Sequence, residues 1–153
     1  MIQEIKARIH NVQEVEQKLL QNGAKVTDQT YFIDTYFHQP KGKVLKIVEK
    51  NKGTFLNIFQ GVDGKFEVVK DEQIDNTEKL KTNLTAQYGI KRTMKGSRKF
   101  FQFKNYQIIL NLIDNVGNFI IVTGENPTKE FVENELDIEK PEYITVSFEE
   151  VGS

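Results

Sequence analysis

The first ten residues alternate between apolar and ionisable side chains, and this pattern strongly constrains the fold. The two sets point to opposite faces: Ile5, Ala7 and Ile9 on one, and Glu4, Lys6, Arg8 and His10 on the other. A period of two is that of a β-strand, here with one charged face. Such a face either lies in water on an open sheet or lines the polar interior of a barrel. In a barrel, each inward charge needs a partner or a charged ligand.

Strand-like segments recur along most of the chain. The sequence predicts eight strands, at about 2–10, 25–37, 44–50, 54–60, 65–70, 90–103, 106–114 and 117–123. Three helices are predicted: one after the cap Asn11, one from the cap Asp75 to Gly89, and an acidic one of about ten residues opened by Pro127. Residues 143–151 fit either a short strand or a short helix. So many strands in one α+β domain, spanning 1–153, favour an antiparallel barrel or a strongly curved sheet.

Composition excludes several kinds of site. The chain has no cysteine, which removes disulfides and thiolate metal sites, and its two histidines cannot form a three-histidine site. No run approaches 18 apolar residues and the start lacks a signal-peptide profile, so we expect a soluble, cytoplasmic protein with no membrane partner. The net charge of −1 argues against binding to extended nucleic acid. Basic residues nevertheless cluster at 41–52 and 91–104, and acidic ones at 125–150.

Aromatic residues interleave with basic ones in the second basic segment. Phe100, Phe101 and Phe103 lie beside Arg98 and Lys99. Rings among cations could stack nucleic-acid bases, as in single-strand binders. Packing of alternate aromatic residues into the core explains the same pattern.

An ordered set of motifs covers residues 2–125. These are EIKARI from Glu4, a helix ending in NGAKV, IDTYFHQPKGKVLKI from Ile33, and GSRKFFQFKNYQIILNLIDNVGNFIIVTGE from Gly96. Their order and spacing resemble the CYTH superfamily of triphosphate tunnel enzymes, which includes class IV adenylyl cyclases, thiamine triphosphatases and inorganic triphosphatases. The resemblance implies an antiparallel eight-stranded CYTH-like tunnel barrel with flanking helices.

The resemblance also implies a set of site residues. Basic positions that hold the triphosphate in the family correspond to Lys6, Arg8, Lys46 and Arg98. Gly96 occupies a further position that is usually lysine in the family, and Lys95 is adjacent to it. Of the acidic positions that hold metal, Glu4 remains. The others carry Ile2, Asn111, Ile121 and Thr123. The resemblance therefore predicts a weak magnesium or manganese site at Glu4 and no other cofactor, with Glu49, Glu67 and Asp114 as further carboxylates on other strands.

This pattern of retained and lost residues leads to a functional hypothesis. The protein is predicted to bind a nucleotide or other polyphosphate in its lumen without efficient turnover, as a sensor, sequestering protein or regulatory partner, with no catalytic residue assigned. The alternative is a metal-dependent triphosphatase or class IV-type adenylyl cyclase with a rearranged metal site. Three or more carboxylates converging on one point would favour catalysis. The sequence leaves the oligomeric state open, a dimer included.

Overall fold

The computed structural model describes residues 1–152. Its strands are β1 (Ile2–Arg8), β2 (Lys25–Phe37), β3 (Lys43–Lys50), β4 (Gly53–Val62), β5 (Lys65–Ile74), β6 (Ile90–Phe103), β7 (Tyr106–Ile113), β8 (Gly117–Glu125) and β9 (Glu142–Ile144). Two α-helices connect them, α1 (Val12–Gln21) and α2 (Thr77–Tyr88). The predicted domain runs one residue further, to Ser153, which lies outside the described residues.

The sheet closes on itself through β1. The strand order is β5-β4-β3-β2-β6-β7-β8-β1-β9, and β1 also pairs with β5. One edge of β1 pairs along its whole length with β8, from Ile2 to Arg8. On its other edge, Gln3 and Glu4 pair with β5 and the segment from Lys6 to Arg8 pairs with β9. The predicted eight-stranded antiparallel barrel is therefore confirmed, with the short β9 added beside it.

The alternation in β1 separates the outside of the barrel from the inside. Ile5, Ala7 and Ile9 are buried in one cluster with Val15 and Leu19 of α1. This apolar face of the strand therefore packs beneath α1. Burying a row of aliphatic side chains on the outer face forces Glu4 and Lys6 to the inner face.

Two further apolar clusters complete the packing. Leu80 and Leu84 of α2 cover an outer patch formed around Phe37, Leu45 and Ile47. The outer cluster beneath α1 also receives Val132, Leu136 and Ile138 from the segment after β8. A third cluster fills one end of the barrel interior and includes Tyr36, Met94, Phe119, Phe148 and Val151.

The predicted acidic helix is wrong in its length and start. The segment after Pro127 contains one π-helical turn, Phe131–Glu135, and the Phe131 amide donates to the Thr128 hydroxyl at 3.1 Å. Asn126 and Asp137, which adopt positive φ angles of 47° and 54°, lie on either side of this segment and limit its length. The second helix is capped by Asn76, whose side chain accepts from the Lys79 amide, and not by Asp75.

The ambiguous segment after residue 142 adopts both predicted conformations in turn. Strand β9 is followed by a 3₁₀ turn, Phe148–Glu150. No helix in the described range is long and apolar enough to cross a membrane. The cellular compartment stays a prediction.

Candidate functional site

The barrel encloses a cavity of about 170 Å³ whose wall is unusually rich in charge. Four cationic and two acidic side chains line it: Lys6, Lys46, Lys50 and Arg98 with Glu4 and Asp71. Pockets for drug-sized ligands usually measure roughly 300–1,000 Å³, so this cavity suits the charged end of a ligand rather than the whole of a large one.

The cavity is open at one end and closed at the other. Its open mouth includes Ile2, Asp71 and Gln107, which are exposed at strand ends. At the opposite end Phe148, 4% exposed, packs edge-on against Phe119 with ring centroids 4.9 Å apart. The packed Phe119 and Phe148 rings thus fill the interior at that end.

A buried carboxylate holds two of the four cations. Asp34 accepts from Arg98 Nη2 at 2.5 Å and from Lys46 Nζ at 3.0 Å. Asn111 accepts from Arg98 Nε at 3.0 Å, and the Arg98 guanidinium lies 3.7 Å from the centroid of the Phe32 ring. Burial alone would raise the pKa of Asp34, but the charges of Arg98 and Lys46 outweigh it and lower that pKa. Asp34 therefore stays ionised and neutralises part of the cationic wall.

The other two cations face the cavity over aromatic rings. Lys6 Nζ lies 3.9 Å from the centroid of Phe66 and 4.2 Å from that of Phe148. Lys50 Nζ lies 4.3 Å from the centroid of Phe55 and 5.5 Å from that of Phe100. Within residues 1–152 neither lysine forms an ion pair within 4.0 Å, in contrast to Lys46. Ring faces attract a cation without cancelling its charge.

Burial has a large effect on Lys6. Desolvation lowers the pKa of Lys6 to about 7, although the charge of Glu4 works in the opposite direction. Desolvation likewise lowers the pKa of Lys50, which is only partly buried. An arriving anion would stabilise the ammonium form of both lysines.

Glu4, the predicted metal ligand, lies on the cavity wall. Its carboxylate accepts from the Thr123 hydroxyl at 3.3 Å, and burial raises its pKa against the opposing charges of Lys6, Lys46 and Arg98. Magnesium usually needs several oxygen ligands, with one or two carboxylates besides phosphate and water. No group of three or more histidine, aspartate or glutamate side chains in the described part of the chain could share a metal ion. This cation-rich donor set does not fit a magnesium site.

The other carboxylates considered from the sequence lie elsewhere. Glu49 pairs with Lys81 of α2 at 3.2 Å, and Asp114 is exposed in the turn after β7. Glu67 falls between Phe66 and Val68, both of which line the cavity, so the strand alternation turns Glu67 to the outside.

The structure brings together four of the six predicted site residues: Glu4, Lys6, Lys46 and Arg98 all line the cavity. Arg8 lies beyond the closed end, where its guanidinium donates to the Val116 carbonyl at 3.0 Å and covers the Phe119 ring. A Cβ at Gly117 would lie 2.1 Å from Arg8 Nη1, so glycine leaves room for this contact. Lys95 is exposed on β6, outside the cavity. Ligand binding by each of these residues stays a prediction.

Two residues of the site were absent from the predicted set. Lys50 was one of the basic residues on β3, and its i+4 spacing from Lys46 on the same strand face could have revealed it. Asp34 was matched to a family motif but given no role in the site. Among the aromatic residues, Phe100 lines the cavity, whereas Phe101 and Phe103 pack in the outer cluster beneath α1.

Known structures share this architecture at low sequence identity. No protein-family model matches the sequence, and no curated protein matches it significantly. The PH1012 protein of Pyrococcus horikoshii superposes with a TM-score of 0.85 at 18% identity, covering 100% of both chains.

Two further similar structures have names that mention activities. A candidate adenylate cyclase of Vibrio parahaemolyticus gives a TM-score of 0.65 at 16% identity, covering 90% of this chain and 83% of its own. The candidate adenylyl cyclase HpAC1 of Hippeastrum, described as having a dominant triphosphatase activity, gives 0.63 at 16% identity, covering 96% and 92%. The closed antiparallel barrel and these likenesses together show that the chain has a CYTH-like barrel fold.

Proposed function

We propose that the barrel binds a nucleotide or another phosphate-bearing anion in its cavity and does not turn it over efficiently. The observation that carries this proposal is the pair Lys6 and Lys50, two cations on the cavity wall without a carboxylate partner in the described range. A charge buried without a partner is costly to folding. A ligand that supplies the missing negative charge gives such residues a function.

The four cations contribute differently to an incoming phosphate chain. Lys6 and Lys50 form no ion pair within residues 1–152, and a bound anion would favour their protonated form, a compact ammonium group on a flexible stem. Arg98 and Lys46 are held by Asp34 and offer less net charge, but their fixed positions shape the wall. Charge-assisted hydrogen bonds to phosphate contribute about 1.5–3 kcal/mol each, enough for specific capture without a metal ion.

The same wall is poorly equipped for catalysis. Phosphoryl and nucleotidyl transfer need charge stabilisation that grows in the transition state, usually with metal ions between phosphate oxygens. Here Ile121 and Thr123 occupy family glutamate positions, and Glu4 is surrounded by cations. Cations that bind the ground state and the transition state equally do not accelerate the reaction. A role in sensing, sequestration or regulation follows from binding alone.

A second candidate function is a metal-dependent triphosphatase or class IV-type adenylyl cyclase. The names of the similar Vibrio and Hippeastrum proteins favour it, because both refer to such activities. Both structures are 16% identical to this chain, and a likeness at that level shows a shared fold but not a shared activity. A ligand could still recruit magnesium or manganese through its own phosphate oxygens together with Glu4.

One set of measurements separates the two candidates. The purified protein is titrated calorimetrically with ATP, thiamine triphosphate and tripolyphosphate, with chelator and again with magnesium or manganese, and product is measured in parallel. We expect binding in chelator and very weak or no turnover in any condition. Multiple turnover that requires metal and disappears in Glu4→Gln would contradict the proposal and support the enzyme. Absence of binding to every phosphate compound would contradict both candidates.

A further inference from the structure

Strand β5 has one edge that is unpaired along its second half. On the opposite edge it pairs with β4, and this pairing is regular from Lys70 to Ile74. The edge in question pairs with β1 at Phe66 and Glu67. Among residues 1–152 no other strand pairs with it, and residues 69–73 are exposed. The free amide and carbonyl groups of such an edge are a template for another strand.

The charges along this free edge restrict which strand can pair with it. Lys70 and Glu72 form an ion pair at 3.5 Å, so both side chains lie on the same face of the strand. Asp71 points to the other face and lines the mouth of the cavity. Charged residues usually protect an edge from pairing, and like charges directly opposite each other are unfavourable. A strand that presents the opposite charges at the matching positions would instead be favoured.

A second copy of β5 is such a strand. Two identical antiparallel strands in one continuous sheet are related by a two-fold axis, and opposing side chains share a face, so the axis passes through one residue of the strand. With the axis at Asp71, Lys70 of each copy lies opposite Glu72 of the other. An axis at Lys70 or at Glu72 would put that residue opposite its own copy, which is a pair of like charges. The charge pattern therefore selects the register centred on Asp71.

Asp71 meets its own copy at the axis in this register, and two contacts reduce the repulsion. Asn57 of β4 donates to the Asp71 carboxylate at 2.8 Å, which holds this side chain toward β4 and away from the free edge. Lys50 lines the same cavity and is close enough for the charge of Asp71 to favour its ammonium form. Each carboxylate at the axis thus faces a cation of its own barrel.

We infer that the free edge of β5 is an interaction surface for a second copy of this chain, in a symmetric dimer that pairs Lys70 with Glu72 twice. The β4–β5 sheets of the two copies then join into one antiparallel sheet. Because Asp71 lines the mouth of the cavity, the mouths of the two barrels adjoin in this dimer. The inference depends on the fold and on the charges of the edge, and it does not depend on the proposed function.

Charge reversal tests this register directly. Sedimentation velocity over a wide range of protein concentrations should show a monomer–dimer equilibrium for the wild type. Lys70→Glu places glutamates opposite each other at both pairs, and Glu72→Lys places lysines there, so each should weaken dimerisation about ten-fold or more. The variant with both Lys70→Glu and Glu72→Lys restores opposite charges and should regain the wild-type dissociation constant. An equimolar mixture of the two single variants should form heterodimers.

Lys95→Glu is the matched control, because it changes the net charge by the same amount at an exposed position on β6, four strands away from β5. It should dimerise as the wild type does, and circular dichroism shows that each variant is folded. A wild type that stays monomeric at every concentration would overturn the inference, as would a dimer that folded Lys70→Glu leaves unchanged. A double variant that dimerises no better than the single variants would also overturn it, because the charges would then not meet in this register.

Discussion

The four cations on the cavity wall form two pairs that differ in whether a carboxylate binds them. Lys46 and Arg98 share the buried carboxylate of Asp34, at 3.0 and 2.5 Å. Lys6 and Lys50 have no such partner among residues 1–152 and lie over phenyl rings. One carboxylate balances one of the two charges of the first pair, whereas the second pair faces the cavity with no carboxylate within 4.0 Å in that range.

The difference separates stability from binding. An ion pair in a low-dielectric interior is disrupted at high cost if one partner is removed, so Asp34 and its cations act as a structural unit. A cation held only by rings has a smaller, nondirectional attraction and remains free to bind an anion. The four residues are alike in carrying a basic side chain, but their partners in the fold give them different roles.

The largest expected effect comes from removing the carboxylate that Lys46 and Arg98 share. Asp34→Asn leaves Lys46 and Arg98 buried without a counter-charge, which typically costs about 3–5 kcal/mol. Urea denaturation monitored by circular dichroism measures the loss in the free energy of unfolding. Glu49→Gln is the control, because the half-exposed pair of Glu49 with Lys81 should contribute less than about 1 kcal/mol. Equal losses in both variants would show that Asp34 has no special structural role.

The second prediction concerns Lys6 and Lys50, the pair without a carboxylate partner in residues 1–152. Lys6→Met and Lys50→Met should each weaken tripolyphosphate binding about ten-fold or more, because each removes a charge-assisted contact. Neither change should destabilise the fold as Asp34→Asn does, since no carboxylate loses its partner. Calorimetry gives the affinities, and Lys95→Met, an exposed site outside the cavity, should bind as the wild type does. Wild-type affinity in both lysine variants would place the site elsewhere.

The third prediction concerns the pH dependence of stability. The pKa of Lys6 falls from an ordinary value of 10.5 to about 7 in the folded protein, mainly by burial. Between these values the unfolded chain binds more protons than the folded one, so the free energy of unfolding should rise with pH from about 7 upward. Urea denaturation at a series of pH values measures this slope. The slope should flatten in Lys6→Met and persist in Lys95→Met; a slope unchanged in Lys6→Met would contradict the assignment to Lys6.

Local patterns in the sequence predicted much of the fold. The alternation in β1 predicted that Ile5, Ala7 and Ile9 share one face, because side chains of a strand must point to opposite sides. The segment after Pro127 was predicted less well, because a helical pattern does not distinguish an α-helix from a single π-helical turn bounded by left-handed residues, here Asn126 and Asp137. The choice of Asn76 over Asp75 as a cap is likewise a difference of one residue between two good capping side chains.

The sequence by itself determined the barrel and the inward row of Glu4 and Lys6, since both follow from alternation and the order of motifs within one chain. Only the tertiary structure decided which cations are free. The pairing of Asp34 with Arg98 joins residues 64 positions apart, and Phe148 reaches Lys6 from the far end of the chain. Such contacts depend on the closure of the barrel and on the path of the chain after β9. The electrostatic role of a buried charge is set by neighbours that are distant in sequence, so residue type and spacing cannot supply it.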